Sequence, residues 1–398
     1  MAKKNKRQPQ ATAIAASPVK EAYTRRIKPK AQSVARKDIA SWKAALRQAN
    51  SADAPKRVRL IELYNDIMLD SLLLSQIDQR YSSTIGSDFV IEDSEGKEHE
   101  EATALLRSSV WMPVLLRCIL ESISFGHSLI EFRIETDNLK IDLIPRQNVI
   151  PNNGTLLFDI ADDKGLFYRD QPEYGTWVLE FGEHDNLGIL NSAVPHVLFK
   201  KFAHACWSEL YEIYGIPPRY IKTNTNNPDM LNRAEAMMRD MGSAAWWVID
   251  NSEELQFAQG VTGNGDVYSN LINACNSEIS MLISGAQIGQ DTKNGNRSKE
   301  ETSVKQLEMK IKADKKYVED YMNSLVLPAL YRIGIVSADG LKFKFSQEED
   351  LEKLWKMVTE AGNLFDLDPD WVQEKFGIQI KGPKQQQSTN LSADSFFA

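Results

Sequence analysis

The 398-residue chain has little cysteine and little histidine, and neither is arranged for chemistry. Cys118, Cys206 and Cys275 are odd in number, far apart and without a CxxC pair. That excludes a zinc-ribbon spacing and a disulfide framework and leaves buried free thiols as the reading. His99, His127, His184, His196 and His204 show no HxH or HxxxH spacing. A GxxxxGK[ST] phosphate loop is missing, a GxSxG elbow is missing, and Gly263-Asn-Gly265 lacks a GxGxxG continuation. A P-loop ATPase and a serine hydrolase are therefore not indicated. No apolar run approaches the roughly 18–20 residues that cross a bilayer. The basic N-terminus lacks the contiguous apolar segment of a secretory signal. Asp366, Asp368 and Asp370 alternate as calcium ligands do, but an EF-hand loop needs Gly at its sixth position and Glu at its twelfth. Trp371 and Gly377 stand there, so Asp368 reads instead as a helix cap, with Pro369 opening the helix and Asp370 in its first turn. The expectation is no catalytic residue, no cofactor and no metal.

What is present begins with a charge asymmetry. Of 47 Lys and Arg and 55 Asp and Glu, residues 1–59 hold sixteen bases against three acids, Glu21, Asp38 and Asp53. The rest of the chain is strongly acidic. A basic arm on an acidic body touches nucleic acid or an acidic partner, or serves as a solubilising tail. An acidic body also repels phosphate.

The patterning predicts an α+β protein. Residues 1–54 read as a basic, largely disordered arm with a short helix over 37–48. Apolar residues at helical spacing predict one helix over 56–81 and a second over 98–124, kinked or divided at Pro113. Alternating runs over 138–191 predict an antiparallel sheet. Helical spacing returns and stops at Gly215-Ile-Pro217-Pro218, which cannot continue a helix. Beyond it come a strand (PRYIKTN), a helix over 228–241, strands AAWWVID and ELQFAQ, and a helix over 267–284 capped by Asp266. A polar loop over 286–302 carries Lys293, Arg297 and Lys299. A long helix over 302–333 bends at Pro328. LKFKFS is a strand, a helix covers 348–361, and the residues from Gly382 form a polar tail. The Trp246-Trp247 pair stacks on bases or, in an apolar strand, supplies core and a packing surface. The loop bases meet phosphate or are ordinary solvated charges.

The order of these segments resembles the Mu-like phage portal family. LIELYNDIMLDSLLLSQIDQR is similar to its opening helix. CILESISFGHSLIEFRI, with Gly126 and Glu131, is similar to its helix–glycine–strand segment. WSELYEIYGIPPRYIK carries Glu212, Tyr214, Gly215 and Pro217 at the matching places. ISGAQIGQDT resembles the segment before its tunnel loop, and the helix with Lys310 and Asp314 resembles the helix after that loop. The resemblance covers residues 55–380 and implies a wing (55–195), a brief first stem helix (196–216), a clip (217–262), a second stem helix (263–285), a tunnel loop (286–302), and a long helix with a wing or crown part (303–381). It implies a bacteriophage head-to-tail connector: a homo-oligomeric ring, typically a dodecamer, at one capsid vertex of the virion. Double-stranded DNA would pass its channel during packaging and ejection. The major capsid protein, the terminase large subunit and neck or adaptor proteins would be partners, with no membrane. Lys293, Arg297 and Lys299 would face DNA; Arg219, Tyr220, Trp246 and Trp247 would lie at the clip interface; Gly215, Pro217 and Pro218 would form the stem–clip junction. Two competing readings are an unrelated scaffold or minor head protein and a metal-dependent nucleic-acid enzyme, for which no convincing carboxylate cluster exists.

Overall fold

The computed structural model describes residues 22–27, 38–135, 138–214, 219–240, 246–250, 266–287, 297–346, 351–362 and 368–378. The chain divides into two compact units, Met1–Phe345 and Ser346–Ala398.

The first unit opens with α1 (Tyr23–Arg26), α2 (Ile39–Ala49), α3 (Val58–Ile67) and α4 (Ser71–Ile85). The single helix expected over 56–81 is two. Asp70 interrupts it by capping α4, its side chain accepting from the Leu72 and Leu73 amides at 3.1 Å each. Next come β1 (Phe89–Glu92), α5 (Glu100–Ser108) and α6 (Met112–Phe125). Pro113 lies at the start of α6, where its missing N–H has no partner to lose. Gly126 ends α6 with φ 84°, and a Cβ there would run into the Asn186 carbonyl, so both the turn and the close approach require glycine.

The β region holds β2 (His127–Glu135), β3 (Asn138–Leu143), β4 (Val149–Ile150), β5 (Thr155–Leu156), β6 (Leu166–Phe167) and β7 (Val178–Gly182). It is antiparallel, as the alternation indicates, but it forms two sheets, β3-β2-β7 and β4-β5-β6. Six successive residues of β2 are buried, so that strand is covered on both faces. Beside it lies Glu180 of β7. Its carboxylate accepts from His127 Nε2 (3.0 Å), Tyr168 Oη (2.7 Å), Tyr174 Oη (2.9 Å) and the Arg169 guanidinium (2.8 and 3.0 Å). Burial opposes the charge, yet the bonds from His127 and Arg169 hold the Glu180 carboxyl well below the usual carboxylate range. Burial also lowers His127.

The chain continues through α7 (Ile189–Tyr214), β8 (Arg219–Thr223), α8 (Pro228–Asp240), β9 (Trp246–Asp250), α9 (Asp266–Ser284), α10 (Arg297–Tyr321), α11 (Leu327–Arg332) and β10 (Lys342–Phe345). A π-helical turn, Met322–Val326, joins α10 to α11. Pro328 has no N–H to offer the Ser324 carbonyl, so the helix changes register there. β10 pairs antiparallel with β1, Phe89 opposite Phe345 and Ile91 opposite Phe343. Phe89 stacks on Phe343 at 4.7 Å.

The main core draws on α2, α3, α4, α6, α7, α9, α10 and α11 together with the sheet residues Ile130, Phe132, Leu179 and Phe181. Through it runs a buried polar link. Arg80, on the apolar face of α4, donates to both oxygens of Asp314 on α10 (2.5 and 2.6 Å) and to the Ile283 carbonyl near the end of α9 (3.0 Å). Gln76, one turn earlier, donates to Ser280 Oγ (2.7 Å) and accepts from Ser284 Oγ (3.2 Å). Lys200 of α7 meets Asp70 at the head of α4 at 2.8 Å.

Within residues 1–54, α2 agrees with the short helix expected over 37–48, and α1 corrects the expected disorder. α2 packs its apolar face on the core, with Asp38 as its N-cap. α1 is docked, with Tyr23 buried. The remainder of the arm and the tail from Gly382 lie outside the described residues. In the second unit, α12 (Leu351–Ala361) and α13 (Pro369–Phe376) bury Val358 and Val372, and Trp355 meets Phe376 edge-on at 4.9 Å. Asp368 caps α13 and Pro369 opens it, in agreement with the sequence pattern.

The buried charges make two predictions. Arg80→Ala or Asp314→Ala each lowers unfolding stability by about 3–5 kcal/mol, because either leaves its partner buried and unpaired. The double change Arg80→Met with Asp314→Leu costs less than either single change in urea titrations; a double cost equal to the sum of the singles would refute the assignment. For Glu180, a folded-state pKa below the ordinary 4.5 means stabilisation that is present above that pH and lost as pH falls further. Glu180→Gln therefore makes the acid limb of the stability–pH curve shallower by up to about 1.4 kcal/mol per pH unit, measured as the urea midpoint between neutral and acid pH.

Candidate functional site

Two long helices, α7 and α9, lie against each other and flank a small α/β module. β8 and β9 pair in parallel, Arg219 opposite Trp246 and Thr223 opposite Asp250. Parallel neighbours need a crossover, and α8 supplies it. Asn227 opens that crossover helix, its side chain accepting from the Asp229 amide at 3.0 Å. Asp250 fastens the end of β9 to the turn after β8, accepting from the Thr225 amide (3.0 Å) and hydroxyl (2.7 Å). Among its described residues the module has few buried side chains. Ala234 and Met238 of α8, Ile249 and Thr223 are buried, whereas Tyr220, Met230 and Met237 are exposed.

The helix pair shows the same deficit more strongly. α7 is 26 residues long, not the brief helix expected from residue 196. It starts before Pro195, which removes the bond to the Asn191 carbonyl. Burial of Leu190, Ala193, Val194 and Val197 outweighs that loss. From His204 to Tyr211 no residue of α7 is buried. α9 likewise buries nothing from Asp266 to Leu271. Phe199, Phe202 (53% exposed) and Tyr211 (62%) on α7, with Val267, Leu271 and Met281 on α9, leave apolar surface open along the pair. Trp207 stacks on Tyr211 at 6.0 Å.

The expected site residues fall into three groups. Arg219 and Tyr220 lie on β8, and Trp246 and Trp247 on β9. The two pairs face each other across the ladder, Arg219 with Trp246 and Tyr220 with Trp247. Gly215, Pro217 and Pro218 lie outside the described residues, as do Lys293 and the ELQFAQ segment. Arg297 and Lys299 are not in a loop: they form the first turn of α10. The run RSKEETSVKQ suggests a loop by its polarity, but it has no Gly or Pro and is built largely of good helix formers. The segment joining α9 to α10 is correspondingly shorter than 286–302.

Sequence reading missed the residues that hold the C-terminal end of α9 and the middle of α10. Gln76 and Arg80 of α4 grip Ser280, Ile283 and Ser284 on α9 and Asp314 on α10. A usable signal existed: Gln76 and Arg80 fall on the same helical face as Leu73, Ile77 and Thr84, all buried. No group of three or more His, Cys, Asp or Glu placed to hold a metal occurs among the described residues.

A family model described as the portal protein of Mu bacteriophage matches residues 61–378. The portal protein of Escherichia phage Mu is 22% identical over 202 residues, which are 48% of this chain and 39% of that protein. The aligned segment thus spans well under half of that relative. Among solved structures, a chain from the neck of an empty GTA particle, computed with C6 symmetry, is similar with a TM-score of 0.51 at 12% identity, over 79% of this chain and 93% of that one. At that identity the likeness speaks for the fold. The family match spans more than half of the sequence, and the chain belongs to the family of the Mu bacteriophage portal protein.

Proposed function

We propose that the chain is the portal subunit of a tailed bacteriophage, a structural rather than enzymatic component that closes into a ring at one capsid vertex. The observation that carries this reading is the distal part of the α7–α9 pair, which has long helices and open apolar side chains but no buried residue over His204–Tyr211. Helices of that length need an apolar face covered to be stable. A second copy supplies the cover, and a head-to-tail contact of this kind closes into a ring when the rotation between copies divides the circle. In this reading α7 and α9 are the stem, β8-α8-β9 the clip, the segment before α10 the tunnel loop, and Gly215, Pro217 and Pro218 the stem–clip junction. Twelve copies surround a channel for double-stranded DNA during packaging and ejection. Arg219, Tyr220, Trp246 and Trp247 lie at the clip interface, where the terminase large subunit and later the neck or adaptor proteins dock, while the wing meets the major capsid protein. The acidic body repels the phosphate backbone and lets DNA slide, and Lys293, Arg297 and Lys299 supply the few cationic contacts. No cofactor takes part.

Electron micrographs of the purified protein are expected to contain closed rings with a central channel; monomers at high concentration would reject the proposal. Phe202→Asp or Tyr211→Asp prevents ring closure while leaving the folded subunit's circular dichroism unchanged, because each places a charge in the inter-subunit contact. Replacing Lys293, Arg297 and Lys299 together by Gln leaves rings intact and reduces genome filling of particles. Unchanged filling would remove these residues from the DNA path.

A further inference from the structure

Glu131, in the middle of β2, is 2% exposed. Among the described residues its hydrogen-bond partners all come from a segment more than 100 positions earlier. The Tyr23 amide donates to Oε1 at 2.9 Å, and the Thr24 amide and hydroxyl donate to Oε2 at 3.2 and 3.4 Å. Burial pushes the Glu131 carboxyl up despite these bonds. Without that segment, a carboxylate in this position would lack any described partner, a costly arrangement that folded proteins avoid. The rest of the segment is received with equal specificity. Tyr23 (4% exposed) is one of the buried residues of a small second core with Leu129, Ile144, Val149, Leu156, Tyr168 and Val178. Its hydroxyl donates to Glu173 at 3.3 Å. Arg26 lies over the Phe158 ring at 4.0 Å, and Arg25 meets Glu135 at 3.4 Å.

We infer that this site between the two sheets is a peptide-binding site whose ligand is the chain's own Tyr-Thr-Arg-Arg-Ile segment, held in place as a latch. Its recognition elements are a buried carboxylate for two consecutive backbone N–H groups, an apolar pocket for an aromatic ring, and an acidic and aromatic rim for two arginines. The latch ties residues 22–27 to the β2–β3 sheet. The inference is independent of ring assembly.

The test uses the full-length chain with Tyr23→Ala and Thr24→Pro, which vacates the site, and a fluorescent peptide of residues 20–28. Polarisation is expected to report saturable binding, at least about tenfold tighter than for peptides carrying Tyr23→Ala or Thr24→Pro, and weaker binding to the wild-type chain, whose site is filled. The Glu131→Gln change in the vacated chain reduces binding by a similar factor. The peptide-side comparison stands even if that variant fails to fold. In the wild-type chain the Tyr23 and Thr24 amides exchange hydrogen slowly. Absence of saturable binding, indifference to Tyr23, or rapid exchange of those two amides would overturn the inference.

Discussion

The guanidinium of Arg80 is the point on which the helical part of the molecule turns. One side chain of α4 donates to a carboxylate on α10 and to a carbonyl near the end of α9. Its charge is nearly sealed from water, so its partners are obligatory, and each fixes the position of a helix. Gln76 adds two serines of α9 to the same grip. Lys200 fastens α7 to the N-terminus of α4. The result is a rigid base for the α7–α9 pair, built of polar bonds with strict geometry. Apolar packing alone would tolerate sliding.

Past that base, the helices run on with little to bury. An incompletely covered helix pair is a face that the proposed contact between copies would cover and stabilise. The contrast between a well-packed body and an under-packed extension is what the family assignment requires physically.

Much of this was legible in local patterns. Asp368-Pro369 announced a cap and a helix start, Gly126 announced the end of a helix, and the helix expected over 228–241 lay between short strands. These signals lie within one or two turns of chain. What stayed hidden was decided at distance. The break at Asp70 was masked by apolar residues on both sides that keep helical spacing. Arg80 looks like the edge of a solvated face until its partner, 234 residues away, is known. Glu131 looks like an ordinary outward residue of an alternating strand until the second face of the sheet proves to be covered. Arg297 and Lys299 are a different case: polarity imitates irregularity there, although the local residue types favour helix.

The pairing of β1 with β10 has a consequence for how the molecule is made. The two strands are joined by an ion pair, Lys344 to Glu92, that spans 252 positions. A ribosome adding roughly 5–20 residues per second exposes β1 for tens of seconds before its partner exists. During that time the strand offers unpaired backbone groups and the side chains of Phe89 and Ile91, the combination that favours wrong pairing between nascent chains. This sheet therefore closes only after Lys342–Phe345 has been made, and a chain stalled before that point would present an adhesive edge in place of a finished ladder.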